Sequence, residues 1–354
     1  MSRAQARSIE VESRPAIPGG TAPQVTRGDA RLCSGRLSAL TIDVEDYFQV
    51  SGFENVVLRE SWPFFESRVE RNTDRLLALL AEARVTATFF VLGWIAERYP
   101  MLVRRIQSAG HELACHSYAH RIVYQCTPEE FRADTRRAKR LLEDISGAAV
   151  IGYRAPSFSI TRRSLWALEI LAAEGFEYDS SVFPVFRDRY GIPGTPRHPY
   201  QVELGNSRSC RPSAALGRAH PGQNHLGCHN GESILEAPPS TVRVMGATLP
   251  MGGGGYLRLF PTWVFHRAIR WITETERWPA ILYLHPWELD PDQPRIRSGS
   301  RVSRFRHYVN LDKTEEKLAG LIARLTFAPL QDVLGQLRDL PSTPLQALAN
   351  RLSP

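Results

Sequence analysis

Lysine is nearly missing from this chain: of 44 Lys and Arg residues, lysine supplies Lys139, Lys313 and Lys317 alone. The glycine run in GGGGYLRLFP (residues 252–261) is followed by no Lys-Ser/Thr pair, which excludes a phosphate-binding nucleotide loop. No apolar run approaches the roughly 20 residues needed to span a bilayer. The opening MSRAQARSIEVESRPAIPGG lacks the apolar stretch of a secretory signal. These absences lead us to expect a soluble, cytoplasmic chain. Cysteine is scarce as well. Cys33, Cys115, Cys126, Cys210 and Cys228 are odd in number and follow no framework spacing, so free thiols are expected. Cys210 and Cys228 share a stretch with His220, His225 and His229, but no C-x2-C pair accompanies them. That favours an insertion loop over a zinc knuckle for residues 205–230.

A concentrated basic surface is also not evident. The net charge is +7, yet residues 1–36 hold six arginines against three acids in a Pro/Gly/Ser-rich stretch expected to be a disordered tail. The rest of the excess is spread thinly, without a Lys/Arg block or basic helix to follow phosphates, so no nucleic-acid partner is expected. What is present is ample core material, 43% hydrophobic against 23% charged over 354 residues. That length suits two domains or one (β/α) barrel.

Strand and helix patterns alternate along the chain. RLSALTIDVEDYF, VTATFFVLG, HELACHS, VIGYRAPSFS and FEYDSSVF read as strands. Between them SRVERNTDRLLALLAEA, WIAERYPMLVRRIQSAG, TPEEFRADTRRAKRLLEDISG and TRRSLWALEILAAEG read as helices. Thr-Pro-Glu-Glu is a helix start with Pro at the first helical position. The alternation breaks into loops and short strands over 187–256. It resumes with the helix PTWVFHRAIRWITETE, the strand AILYLHPWE and a charged helix LDKTEEKLAGLIARL. Repeated β-then-α order implies parallel strands with helices outside, in a barrel or a doubly wound sheet.

In such folds the polar residues at strand C-termini gather on one face. They are Asp43, Glu45 and Asp46, His116 and His120, Arg154, Asp179 and His285. Together they supply a metal set, a base, a cation and an acid. His116 and His120 in HSYAH share one face if the segment turns helically, and a carboxylate from the 43–46 loop would complete a two-His-one-carboxylate site. Such a site lowers the pKa of bound water and polarises a carbonyl oxygen.

TIDVEDYF, HSYAH, GYRAPSF and YLHP, in this order and each at a strand end, resemble the motifs of NodB-type polysaccharide deacetylases, carbohydrate esterase family 4. The DVEDYF start and the SRFRHYVNLDKTEEKL stretch resemble the branch associated with exosortase and exopolysaccharide clusters. The resemblance runs from about Leu37 to Leu337. It implies a distorted (β/α) barrel over 37–290, with a loop-rich insertion at 187–256 and a C-terminal helical extension (291–354) packing on it. The activity implied is metal-assisted removal of N-acetyl groups from amino sugars of a polysaccharide or its precursor. A glycan is then the partner, met by peripheral association with the inner membrane or the exopolysaccharide machinery. By position, Asp43 is implied as general base, His116 and His120 as ligands of a divalent metal, zinc by ligand type. Arg154 would orient Asp43, His285 would be the acid, and Asp179 would tune His285. One position departs: Val44 stands where the family has a second aspartate, so the carboxylate ligand is Glu45 or Asp46. Along an extended strand Asp43 and Glu45 share a face, which favours Glu45. The D-x-E start also fits an allantoinase- or imidase-like hydrolase of cyclic amides, and a non-catalytic glycan-binding barrel is the third reading.

Overall fold

The β-branched and aromatic segments pair side by side in a computed structural model that describes residues 37–187, 189–205 and 232–350. In it β1 (Ser38–Val44), β2 (Thr88–Val91), β3 (Glu112–Cys115), β4 (Gly152–Tyr153) and β5 (Tyr178–Asp179) lie in sequence order, all parallel. The 187–256 region adds β6 (Tyr200–Glu203) and β7 (Ser233–Glu236), with β7 parallel to β5 and β6 antiparallel to β7. β8 (Thr241–Val244) and β9 (Ala247–Pro250) form a separate hairpin. β10 (Ile281–Leu284) returns to the other side of β1, with Ala39 opposite Ile281. Beyond β10, Ser240 N donates to Ile281 O (3.0 Å) and Tyr283 N to Gly252 O (2.7 Å). Irregular backbone thus runs along that edge and curls the sheet into a distorted (β/α) barrel.

Helices cover the outside: α1 (Val69–Ala83), α2 (Gly93–Arg98), α3 (Pro100–Ser108), α4 (Pro128–Ser146), α5 (Trp166–Ala173), α6 (Gly254–Leu259) and α7 (Thr262–Arg270). α4 starts on the reciprocal Thr127–Glu130 capping box that TPEE predicts. The single helix expected from WIAERYPMLVRRIQSAG is two, because Pro100 drives Tyr99 out of helical conformation (φ −128°) and opens α3. After β10 come α8 (Arg301–Tyr308), α9 (Thr314–Ile322), β11 (Phe327–Ala328), α10 (Leu330–Gly335) and β12 (Ser342–Pro344). Among the described residues no helix is long and apolar enough to cross a membrane.

Strand parity separates two apolar layers. Leu40, Ile42, Phe89 and Val91 face the helices. Ala39, Phe90, Ala114, Tyr178, Leu235 and Ile281 turn inward and meet Leu330, Val333 and Leu334 of α10. The C-terminal segment therefore plugs the end of the barrel where the strands begin, and β11 pairs with β1. At this plug Glu112 accepts from Thr88 Oγ1 (2.5 Å), Tyr178 OH (2.7 Å) and Gln331 N (3.1 Å). Burial pushes its carboxyl up to about 7. The tail (1–36) and the Cys/His part of the insertion, with Cys210, Cys228, His220, His225 and His229, lie outside the described residues.

Candidate active site

The opposite end of the barrel collects the polar residues. Parity carries Asp43 and Glu45 inward from β1. Asp43 Oδ1 accepts from Arg154 Nη1 at 2.7 Å. Arg154 is fully buried just past β4 and is fixed from several sides. It donates to Thr41 Oγ1 (2.7 Å), Ser180 O (3.2 Å) and Ser180 Oγ (2.9 Å), and its guanidinium lies 4.1 Å above the Phe90 ring. A buried guanidinium with all these partners cannot swing away, so the Asp43 carboxylate is held in one orientation.

Glu45 is buried beside the two imidazoles of the HSYAH segment. Its Oε2 lies 2.8 Å from His120 Nε2, and its Oε1 lies 3.4 Å from both His285 Nε2 and Trp287 Nε1. Burial pushes this carboxyl up, but the neighbouring His120 and His285 outweigh it and hold Glu45 down at about 2. The HSYAH segment is not helical. Ser117 and His120 take left-handed backbone conformations (φ 63° and 51°), uncommon for such residues. The turn is over-determined: Asp134 accepts from Tyr118 N and Ala119 N, and Arg59 donates to the carbonyls of Ala119 and His120. Gly93 makes room, since a Cβ there would sit 2.7 Å from Tyr118 Cδ2. The two imidazoles meet all the same, with ring centroids 5.4 Å apart.

These residues fit a divalent cation. One ligand atom from each of Glu45, His116 and His120 lies within 4.8 Å of the others. His116 Nδ1 is 2.8 Å from Arg154 O and donates to it, which leaves Nε2 as a lone pair facing the site. Burial pushes His116 down to about 4, so this ring is neutral near pH 7. Glu45 Oε2 has no aligned hydrogen-bond donor despite the closeness of His120, as expected for atoms that converge on a common centre.

Two expectations are corrected. Asp46 points away from the imidazoles: its carboxylate accepts from Ser67 Oγ (2.7 Å), Arg68 N (2.8 Å) and Val69 N (3.2 Å), at the start of α1. Asp179 does not touch His285. Because Tyr178 faces the interior, Asp179 faces outward, where it accepts from Ser181 Oγ (2.5 Å) and lies opposite Glu236 of β7. Burial raises Asp179 to about 6 and also raises Glu236, as expected for two buried carboxyls sharing a proton.

The group that meets His285 is Glu288, which the sequence reading missed. Glu288 Oε1 lies 2.8 Å from His285 Nδ1 and also accepts from His285 N. Glu288 Oε2 accepts from Arg258 Nε at 2.7 Å, and Arg258 in turn donates to the carbonyls of Arg306, His307 and Val309. Partial burial alone would lower His285, but the carboxylates of Glu45, Glu288 and Asp43 raise it to about 9. The ring stacks on Trp287 (5.1 Å), which stacks on His307 (4.1 Å). With 20% of its side chain accessible, His285 can be reached by a substrate.

Comparison with known proteins divides the chain. Residues 61–176 match a polysaccharide deacetylase family model, and residues 209–335 match a domain of unknown function, DUF3473. The first segment holds His116, His120 and Arg154; the second holds Arg258, His285 and Glu288. The chain is 34% identical over 98 residues to a peptidoglycan-N-acetylglucosamine deacetylase of Bacillus cereus, covering 27% of this chain and 36% of that protein. It is 30% identical over 127 residues to a chitooligosaccharide deacetylase of a Bradyrhizobium species, covering 36% and 54%. The chain thus spans between about a third and a half of these relatives' length. A crystal structure from Mycobacterium smegmatis assigned to the polysaccharide deacetylases superposes with a TM-score of 0.54 at 22% identity, over 87% of this chain and 92% of that one, and shares its fold. By these matches residues 61–176 are similar to polysaccharide deacetylases, and the barrel around them shares the fold of the Mycobacterium smegmatis protein.

Proposed function

We propose that this protein is a metal-dependent deacetylase that hydrolyses the N-acetyl amide of amino sugars in a polysaccharide or its precursor, of the exopolysaccharide type. One observation carries the reading: a two-His-one-carboxylate cluster shares a strand-end cleft with an arginine-held aspartate and a glutamate-held histidine. Glu45, His116 and His120 would hold the cation, zinc by its liking for two imidazoles and a carboxylate, which supplies polarisation of the acetyl carbonyl and acidification of water. Asp43 takes the proton of the attacking water through Oδ2, the oxygen that Arg154 leaves free. Arg154 keeps that carboxylate aimed. His285, charged near pH 7, gives its Nε2 proton to the departing amine, without which an amide nitrogen is a poor leaving group. Glu288 fixes the Nδ1–H tautomer and steadies the charged ring. Water adds to the acetyl carbon, the C–N bond breaks, and acetate and a free amino sugar leave. Support for the finer, exopolysaccharide-type reading is the SRFRHYVNLDKTEEKL stretch inside the 209–335 match. In that reading the glycan is met at the inner face of the membrane by peripheral association.

The test is acetate release from a panel of N-acetylated oligosaccharides, before and after chelation and after zinc is restored, beside ring opening of allantoin. Acetate release that chelation abolishes and zinc restores is the expected result. Ring opening without acetate release overturns the proposal in favour of a cyclic-amide hydrolase. Glycan binding by the zinc-loaded protein without any acetate release makes it a binding barrel.

A further inference from the structure

A cavity of about 640 Å³, within the usual size range of ligand pockets, opens beside the catalytic cleft and has no part in the chemistry above. Its walls are the loop after β5 (Phe186, Arg187, Arg189, Tyr190), α6 (Tyr256) and α8 (Arg306). Three of the lining residues are arginines and, among the described residues, none is acidic. Arg189 is offset by Glu54 at 3.2 Å. Arg187 donates to Phe186 O and Tyr256 OH, so its guanidinium is held at the mouth by neutral partners. Among the described residues neither Arg187 nor Arg306 is paired with a carboxylate. Residues 293–311 contain five arginines and no acid, three of the five lie on α8, and of these Arg306 lines the cavity. Aromatic surface accompanies the charge: Tyr190 and Tyr256 line the cavity and Phe186 is 72% exposed.

The cavity is built on the same elements as the acid side of the cleft. A Cβ at Gly254, next to the lining Gly255, would collide with Glu288 Oε1. The carbonyl of Arg306 accepts from Arg258, the residue that holds Glu288. A ligand seated here is therefore a neighbour of the group delivered to His285.

We propose that this cavity is a subsite for an anionic group carried next to the N-acetylated sugar, either the carboxylate of an acidic sugar or the diphosphate of a carrier. The inference rests on the deacetylase reading for the identity of the neighbouring ring. Arg187 and Arg306 supply charge-assisted hydrogen bonds to the anion, and the two tyrosine rings offer flat apolar faces to the sugar.

The experiment measures kcat/KM for acetate release from three substrates. They are neutral chitotetraose, a tetrasaccharide alternating N-acetylglucosamine with glucuronate, and N-acetylglucosamine 1-diphosphate. At least one anionic substrate is expected to exceed the neutral one by about tenfold or more, the scale of hydrogen bonds to charged groups. That ratio is expected to collapse in Arg187→Gln and Arg306→Gln, both exposed positions, and to shrink in 0.5 M salt through screening. Which anionic arm gains tells sugar carboxylate from carrier diphosphate. If neutral and anionic substrates are used alike and neither variant changes the ratio, the subsite is overturned while the deacetylase reading stands. If no substrate releases acetate, the deacetylase reading fails, and calorimetry with tetragalacturonate, which has no acetyl group, decides the subsite. Binding weakened by both variants supports it, and no binding overturns it.

Discussion

The two ends of the barrel each bury a carboxylate, and they treat it in opposite ways. At the plugged end Glu112 meets three donors and, among the described residues, no cation, and burial pushes it up to about 7. At the open end Glu45 is equally buried, yet the histidines around it hold it down at about 2. Glu112 has each oxygen bonded to donors from three segments of chain, whereas Glu45 keeps an oxygen with no aligned donor. Burial alone does not mark a functional carboxylate. The mark is burial beside cationic or metal-ligating groups with hydrogen-bonding capacity left over.

Substitutions can break this contrast, and the largest effects belong to the open end. His116→Ala or His120→Ala is expected to lose bound metal and turnover together, read by elemental analysis and acetate release, because one imidazole with one carboxylate is a poor site. Retained stoichiometric metal in either variant removes that imidazole from the ligand set. Next come the proton-transfer groups. Asp43→Asn and His285→Ala should keep near-stoichiometric metal yet each lose on the order of 10² to 10⁴ in rate on an N-acetyl sugar. On an acetate ester with a good leaving group His285→Ala should recover much of its loss and Asp43→Asn none. Equal losses of His285→Ala on both substrates would reassign that histidine.

The plugged end should respond in stability instead. The folded pKa of Glu112 lies above its ordinary value of 4.5, at about 7. Its protonated form therefore suits the fold, and stability falls as pH rises from 4.5 through 7 and levels off above. Glu112→Gln should gain on the order of 1–3 kcal/mol at pH 8 and nothing below about pH 4, read as chemical denaturation midpoints at both pH values. A variant equally destabilised at both would show that the carboxyl is needed for its bonds alone. The smallest effect is expected for Asp46→Asn, a loss of about 1 kcal/mol from the start of α1 with metal content retained, whereas Glu45→Gln should lose metal. Metal loss in Asp46→Asn would return Asp46 to the ligand set.

Much of the site was legible because strand parity is local. Asp43 and Glu45 stand two apart at the end of an apolar strand, so they had to share a face, and Asp46 had to leave it. The same rule, applied to β5, would have removed Asp179, since the large apolar Tyr178 beside it takes the interior position. Glu288 also had a signal: in His285-Pro286-Trp287-Glu288 a proline follows the first residue past the strand and a glutamate stands three positions on from that residue, the pattern of a helical turn whose side chain reaches back. The Arg258 partner was not legible, because it comes from α6 and is fixed by carbonyls of residues 306–309, contacts no local pattern encodes. The break between α2 and α3 was written in Pro100, while the pairing of β11 with β1 and the role of α10 as a plug depend on contacts across most of the chain.

The pairing of β1 with β10 and β11 also sets a schedule for synthesis. Thr41 donates to a carbonyl 241 positions later, and Leu330 N to a hydroxyl 242 positions earlier. At roughly 5–20 residues per second, the first strand leaves the ribosome about fifteen to sixty seconds before its last neighbours exist. Through that interval Leu40 and Ile42 sit on an unpaired edge, the kind of template that recruits other chains. High contact order slows closure further. Aggregation during expression should therefore depend on translation speed and on chaperones that shield β1, more than on the stability of the finished barrel.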